Sequence, residues 1–367
     1  MLGMVQANQY LRLFKKEQIC GLFYFTIWAL ILIKMDTLIP KAYYFDKTIF
    51  QPITQKIFDS TWSCFQLNQN SMNQNDCIPI EHYNTPLLLS YNGNKLNLLS
   101  NVCTHRAHIL LDKKTNSNCI RCPYHGRRFD LDGRCQSSPG FSKEELKNSK
   151  NNLLNLNQYQ FLDLFFYSIK PDFELKHIFN AIKKTMSFFD HDDLIYEKAL
   201  SKTFVYDINW ALYCENYLEG LHIPFVHKGL AKHINIASYK TFVKKNFVLQ
   251  QAEAHPNQDS FVNSNIGAYY FWIFPGIMLN YYPWGLSVNI VTALEIQKTK
   301  IQYFVYKFPN AAIADDDASV LNVELEDQKA VESVQKGLHS SLFNQPSLSD
   351  QYEKGVKKFH QLILNYF

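Results

Sequence analysis

An α+β protein of two domains is the fold class this sequence predicts, and three observations carry it. A chain of 367 residues with 47% apolar content is long enough to fill two cores. Its first half holds short apolar runs broken by Asn-Gly and Asp-Gly pairs, which mark tight hairpins. Its second half mixes such runs with two stretches of helical periodicity, 175–188 and 322–342. The expected divisions are an N-terminal extension over 1–36, an all-β domain over 37–165 and a second domain over 166–367.

In order along the chain, Arg12, Lys15 and Lys16 precede the apolar run Ile19 to Ile33, which is closed by Lys34. That run is short against the roughly 20 residues a bilayer needs, and no small-residue cleavage site follows it. It fits neither a membrane anchor nor a signal peptide well, and a third reading is that the protein starts at Met35. Phe45, Ile49, Phe50, Ile53, Ile57 and Phe58 then recur at helical spacing, and Gln66 to Asp76 is a polar, Asn-rich loop. Two strands, 85–91 and 96–99, flank the Asn92-Gly93 turn and deliver the chain to Cys103. Gln160 to Lys170 reads as one closing strand. Beyond it, strands are expected at 202–207, 286–294 and 300–308.

A net charge of +4 and a pI near 8.4, with no interleaved basic and aromatic run, argue against a nucleic-acid partner. Eight cysteines scattered through a chain this long do not form a disulfide framework, and a reducing cytoplasm suits them. Neither a G-x-G-x-x-G nor a P-loop is present, so the chain has no recognisable nicotinamide or flavin site of its own.

The stretch from Asn101 to Cys135 carries the first candidate site: Cys103-Thr-His105 and Cys122-Pro-Tyr-His125. Each motif supplies one thiolate and one imidazole. Two such loops match a [2Fe-2S] cluster of the Rieske type, in which two imidazoles replace two thiolates on one iron and raise the potential to roughly −150 to +300 mV. Gly126 permits a tight backbone path after the second motif, and Asp132-Gly133 forms a hairpin turn. The competing reading is structural zinc on Cys103, Cys119, Cys122 and Cys135. It leaves both histidines unexplained, whereas the cluster leaves over only Cys119 and Cys135.

A second candidate site lies in Asn209 to Leu230, where Glu219, His222 and His227 form E-x-x-H-x-x-x-x-H. Glu219 and His222 are expected on one helical face, but His227 falls about 140° further round an ideal helix. Pro224 is expected to kink that helix and return His227 to the same point. Two imidazoles and a carboxylate make the facial triad of a mononuclear Fe(II) site. In the C-terminal helix, Val323, Ala330, Val331, Val334 and Leu338 define an apolar face that also contains Asp327, while Glu324, Glu326 and Glu332 lie off it and are expected to be solvated. Asn216, on the same segment as Glu219, is a further candidate catalytic residue.

The words C-T-H-R and C-P-Y-H-G-R-R-F-D, then E-D-Q and V-Q-x-G-L, resemble the large (alpha) subunits of Rieske non-haem iron oxygenases, in the family's order over nearly all of 37–367. The resemblance implies a helix-grip antiparallel sheet for the second domain, with Asp327 as the third iron ligand. It also implies O2 and a small organic substrate, a separate NAD(P)H-dependent reductase as electron source, and a homotrimer. In such a ring Glu219 would bridge His222 to His125 of the partner subunit. Glutamate at 219 resembles the branch acting on carnitine and related trimethylammonium compounds, whose cations aromatic faces recognise. The alternatives are a dioxygenase of aromatic compounds and a non-catalytic electron carrier with a ligand-binding domain. The aromatics of 271–284 divide between core and substrate pocket.

Overall fold

The computed structural model describes residues 38–67, 72–82, 85–313 and 320–367. The run Ile19–Ile33, with the three readings attached to it, lies outside them. Among the described residues no helix is long and apolar enough to cross a membrane.

The first α-helix among the described residues is α1 (Lys47–Ser60), started by Asp46, whose side chain accepts from the Thr48 N–H at 2.8 Å. Its apolar stripe of Phe50, Ile53, Ile57 and Phe58 packs against Trp210 and other residues of the C-terminal half. Chain order assigns this helix to the first domain; hydrophobic packing places it on the second.

The cluster-motif region is built from two small antiparallel sheets. One has the order β4-β3-β2-β5, where β1 (Ser63–Gln66) precedes β2 (Asp76–His82), β3 (Thr85–Tyr91), β4 (Leu96–Ser100) and β5 (Thr115–Asn116). The β3–β4 turn falls at Asn92-Gly93 as expected, with the Asn92 side chain accepting from the N–H groups of Asn94 and Lys95 at 3.0 and 2.7 Å. The other sheet joins β6 (Ile120–Arg121), β7 (Arg128–Phe129) and β8 (Cys135–Ser137). Leu88, Leu99, Leu110, Ile120 and Phe129 form one core around Cys103 and Cys122.

The single strand expected over 160–170 is instead a hairpin, β9 (Asn157–Phe161) and β10 (Leu164–Ser168), to which β1 adds an edge. Leu162 turns the chain with φ 54°. A leucine in left-handed conformation carries no turn signal in the sequence, so the break was illegible there.

Helix α2 (Leu175–Thr185) leads into an eight-stranded sheet made of β11 (Ile195–Tyr196), β12 (Lys202–Tyr206), β13 (Ile234–Val243), β14 (Phe247–Ala254), β15 (Ile266–Ile273), β16 (Ile277–Tyr282), β17 (Gly285–Glu295) and β18 (Lys298–Lys307). The order is β11-β18-β17-β16-β15-β14-β13, with β12 also pairing β18, and every pairing is antiparallel. Alternation along β15 decides the two faces. Phe271 and Ile273 pack with α2 and the β1-β10-β9 sheet; Trp272 packs with α1 and with helices α3 (Trp210–Tyr217), α5 (Val320–Leu338) and α6 (Lys354–Leu364). The fold is thus α+β, with an antiparallel sheet gripping helices in its second half. Phe271, Trp272, Phe274 and Tyr281, all buried, fall to the core side of the expected division.

Candidate metal centres and the cavity between helix and sheet

The two Cys/His motifs fold into matching loops. Cys103 N–H donates to His108 O at 2.8 Å and Cys122 N–H to Arg127 O at 2.8 Å. Four residues beyond each cysteine, Ala107 and Gly126 turn with φ 55° and 73° and donate back to the cysteine carbonyl at 3.0 Å. The loops thus bring like atoms together: both thiols are buried within one core, and the rings of His105 and His125 lie 4.8 Å apart at its outer edge. A thiol pair inside and an imidazole pair outside is the donor arrangement a Rieske cluster requires. Burial, joined by the adjacent Cys122 thiol, raises the Cys103 pKa, so binding a cluster must displace protons.

Arg127, which sequence reading passed over, ties the loops together. It is 1% exposed, and its guanidinium donates to Thr104 Oγ1 at 3.0 Å, Ser138 Oγ at 3.1 Å and Asn151 Oδ1 at 3.3 Å while lying 4.7 Å over the Phe141 ring. Cys119 faces elsewhere, accepting from Arg128 Nη2 at 3.5 Å. Cys119→Ser is accordingly expected to retain the visible Rieske spectrum, and Cys122→Ser to abolish it; a spectrum lost in the Cys119 variant would favour the zinc-type ligand set.

At the second site the expected kinked helix is replaced by two helices. α3 starts at Asn209, whose side chain accepts from Ala211 N–H at 3.0 Å, and it ends at Tyr217, before Glu219. A single turn, α4 (Ile223–Val226), follows, with Pro224 in its first turn, where a missing N–H costs nothing. His222 and His227 bracket that turn as its two caps. Glu219 therefore does not share a helical face with His222. It reaches its partner from an irregular link: Oε1 lies 2.5 Å from His222 Nδ1, and Oε2 accepts from the backbone N–H groups of Leu221 and His222.

His222, His227 and Asp327 converge, with one ligand atom of each within 4.8 Å of the others. His227 Nε2 is 2.9 Å and His222 Nε2 3.7 Å from Asp327 Oδ1. Each imidazole also has a carboxylate behind it, because His227 Nδ1 lies 2.8 Å from Glu326 Oε2. Those carboxylates hold protons at Nδ1 and leave both Nε2 atoms for a cation. Asn216 Nδ2 donates to Asp327 Oδ1 at 2.6 Å and steadies the third group. Burial alone would lower the His227 pKa, but the hydrogen bond and charge of Asp327, then those of Glu326, carry it above its ordinary value. A site this rich in carboxylate attracts a proton or a metal ion to the same place, so the donor set fits Fe(II).

The inward stripe of α5 is not the apolar face expected from the sequence. Glu324, Asp327, Val331, Gln335 and Leu338 point to the interior, while Val334 is half exposed. Glu324, expected to be solvated, is 1% exposed and accepts from Tyr206 and Tyr213 at 2.6 and 2.8 Å, and from Tyr303. Burial pushes its carboxyl up to about 8 against the lowering effect of Tyr206 and Tyr213. Glu326 likewise turns inward to His227, and Glu332 is half-buried, accepting from Gln328 at 2.8 Å. Apolar periodicity misreads a helix whose buried face is polar because it lines a site.

A cavity of about 270 Å³ opens beside the two histidines. Its wall is aromatic: Tyr239 stacks with Tyr270, Tyr282 stacks with Trp284 at 5.0 Å, and Tyr270 meets both Tyr217 and Tyr282 edge-on. Gly220 permits this wall, since a Cβ there would come within 2.9 Å of the Tyr239 ring.

Such a fold and site define a non-haem iron oxygenase fed by an iron–sulfur cluster. Residues 62–160 match the Rieske [2Fe-2S] domain and residues 195–367 the ring hydroxylating alpha subunit (catalytic domain). Relatives include the carnitine monooxygenase oxygenase subunit of Escherichia coli, 26% identical over 90% of this chain and 93% of the relative. The chloroplastic choline monooxygenase of Spinacia oleracea is also 26% identical, over 88% and 76%. Among solved structures, a quaternary ammonium Rieske monooxygenase shares the fold with TM-score 0.69 at 23% identity, over 90% and 95% of the two chains. A Rhodococcus naphthalene 1,2-dioxygenase does so with TM-score 0.66 at 15%, over 92% and 95%. The chain belongs to the Rieske non-haem iron oxygenase alpha subunits. It is therefore an oxidoreductase with a [2Fe-2S] cluster and a mononuclear iron, acting on a small molecule with O2 and electrons from a separate reductase.

Proposed function

We propose that this subunit hydroxylates a trimethylammonium compound. The observation that carries the reading is the aromatic wall of Tyr217, Tyr239, Tyr270, Tyr282 and Trp284 beside His222, His227 and Asp327. A desolvated cation over such rings gains about 0.5–2 kcal/mol per good contact, and the relatives' names point to carnitine and choline.

In this reading the region over 37–165 carries the cluster on Cys103, His105, Cys122 and His125, and 166–367 carries the iron on His222, His227 and Asp327. The cluster supplies single electrons and the iron supplies activation of O2. The chain's own residues do the rest. Glu219 and Glu326 fix protons at Nδ1 of His222 and His227, Asn216 orients Asp327, and the rings hold the cation and exclude water. The electrons come from an NAD(P)H-dependent reductase in the cytoplasm.

The assembly is a homotrimer in which Glu219 meets His125 of the partner subunit. Exposed apolar side chains rim both ends of that contact: Phe225 and Leu221 beside Glu219, Tyr124 and Ile109 near His125. Their contiguity with polar site residues suits a subunit interface.

Oxygen uptake by the reductase-coupled enzyme, measured with trimethylammonium and aromatic compounds, tests the substrate class. Coupled product is expected only with the former; coupled turnover of an arene with no response to any quaternary ammonium would establish the dioxygenase reading instead.

A further inference from the structure

The floor of the cavity is a one-way chain of hydrogen bonds that ends on Glu324. Tyr217 Oη donates to Asn280 Oδ1 at 2.6 Å, Asn280 Nδ2 to Asn289 Oδ1 at 3.1 Å, and Asn289 Nδ2 to Tyr213 Oη at 3.3 Å. Tyr213 then donates to Glu324 Oε2 at 2.8 Å, and Tyr303 and Tyr206 donate to the same carboxylate. Ser287, another floor residue, donates to Asn289 Oδ1 at 3.4 Å. Ionised, Glu324 only accepts; protonated, it carries its one hydrogen on Oε1 toward Tyr206 while Oε2 still accepts from Tyr213 and Tyr303, and in both forms it sets the direction of the series. The floor hydroxyls spend their hydrogens inward and present oxygen lone pairs to the cavity.

Charge points the same way. Among the described residues, no Lys or Arg lines the cavity, whereas Glu219, Asp259 and Asp327 do. Ferrous iron would add two positive charges, but Asp327, Glu219 and Glu326 lie at or directly behind its ligands and offset them. A substrate carboxylate would be buried here with no lysine or arginine to pair it, which disfavours its binding.

We propose that Glu324, acting through Tyr213 and Tyr303, makes the cavity selective for a net-cationic substrate that lacks an anionic group, such as a quaternary amino alcohol, over zwitterions that carry a carboxylate. The proposal rests on the trimethylammonium reading and narrows it. Glu324 is a positioning residue, since it touches the floor and not the ligand.

The test is calorimetric titration of the iron-loaded, anaerobic holoenzyme with choline, carnitine and glycine betaine. Choline is expected to bind at least about tenfold more tightly than either zwitterion. Glu324→Gln keeps the size but donates to one tyrosine and releases its hydrogen toward the cavity, so the ratio should narrow chiefly through weaker choline binding. Tyr303→Phe, which removes one floor oxygen, should narrow it in the same direction and serves if the first variant does not fold. Equal or tighter binding of the zwitterions, or an unchanged ratio in both variants, would overturn the proposal while leaving the trimethylammonium reading intact. Binding of naphthalene with none of the three ammonium compounds would overturn both.

Discussion

Asp327→Ala is expected to leave the cluster spectrum intact, remove the mononuclear iron and reduce product formation below detection. Asp327 Oδ1 is the point on which both imidazoles and the Asn216 amide converge, at 2.9, 3.7 and 2.6 Å. Without it, two neutral nitrogens remain to hold a ferrous ion that favours a carboxylate. Glu326→Gln provides the graded control. Its carboxylate only supports His227 Nδ1, so its loss is expected to cost roughly 10–100-fold in iron affinity and to be recovered with excess Fe(II). Metal analysis of the purified variants, followed by turnover with and without added iron, separates the two. Retained iron and activity in Asp327→Ala would move the third ligand elsewhere, with Glu326 the first candidate.

Glu219→Gln is expected to have an effect of similar size by a different route. Both metals should still load, because the amide oxygen can accept from His222 Nδ1, although the amide nitrogen cannot replace Oε2 as acceptor of the Leu221 and His222 N–H groups. Yet the reduced enzyme, mixed with substrate and O2, should keep its cluster reduced and release almost no product in a single turnover. Glu219 would then be the link between His222 and His125 of the partner subunit. The simpler role, orientation of His222 alone, predicts a modest loss that excess Fe(II) restores. Rapid-mixing absorbance of the cluster, paired with product measured from the same sample, decides between them. Cluster oxidation and product formation at the unmodified rate would remove Glu219 from the electron path.

The Cys/His loops were legible in the sequence because their candidate ligands are local. A cysteine and a histidine two or three residues apart are committed to one loop, and Gly126, Gly133 and Asn92-Gly93 state their turns in residue types that favour them. His222, His227 and Pro224 were legible for the same reason, even though the kinked helix they suggested is in fact a helix end, an irregular link and a separate turn. Asp327 was within reach because it sits among apolar residues at helical spacing.

Other features depend on distant parts of the chain, and sequence spacing says nothing about them. Glu326 and Glu324 looked like solvated positions until α5 was seen to turn a polar stripe inward, toward histidines and tyrosines about 20 to 120 residues away. Helix α1 precedes the cluster domain yet packs on the catalytic sheet, because an apolar face is buried by whichever surface completes it. The cavity assembles its wall from α3, β13, β15, β16 and the turn after it, and its floor depends on the direction of hydrogen bonds that only neighbouring strands and helices can impose. Local spacing therefore marked the Cys/His loops and the histidine pair, since a ligand motif is a short-range property, while the third group, Asp327, joins them from 100 residues away. The three-dimensional packing decided what stands behind those residues and how the cavity is lined, since burial, charge and hydrogen-bond direction arise from contacts the chain makes only once folded.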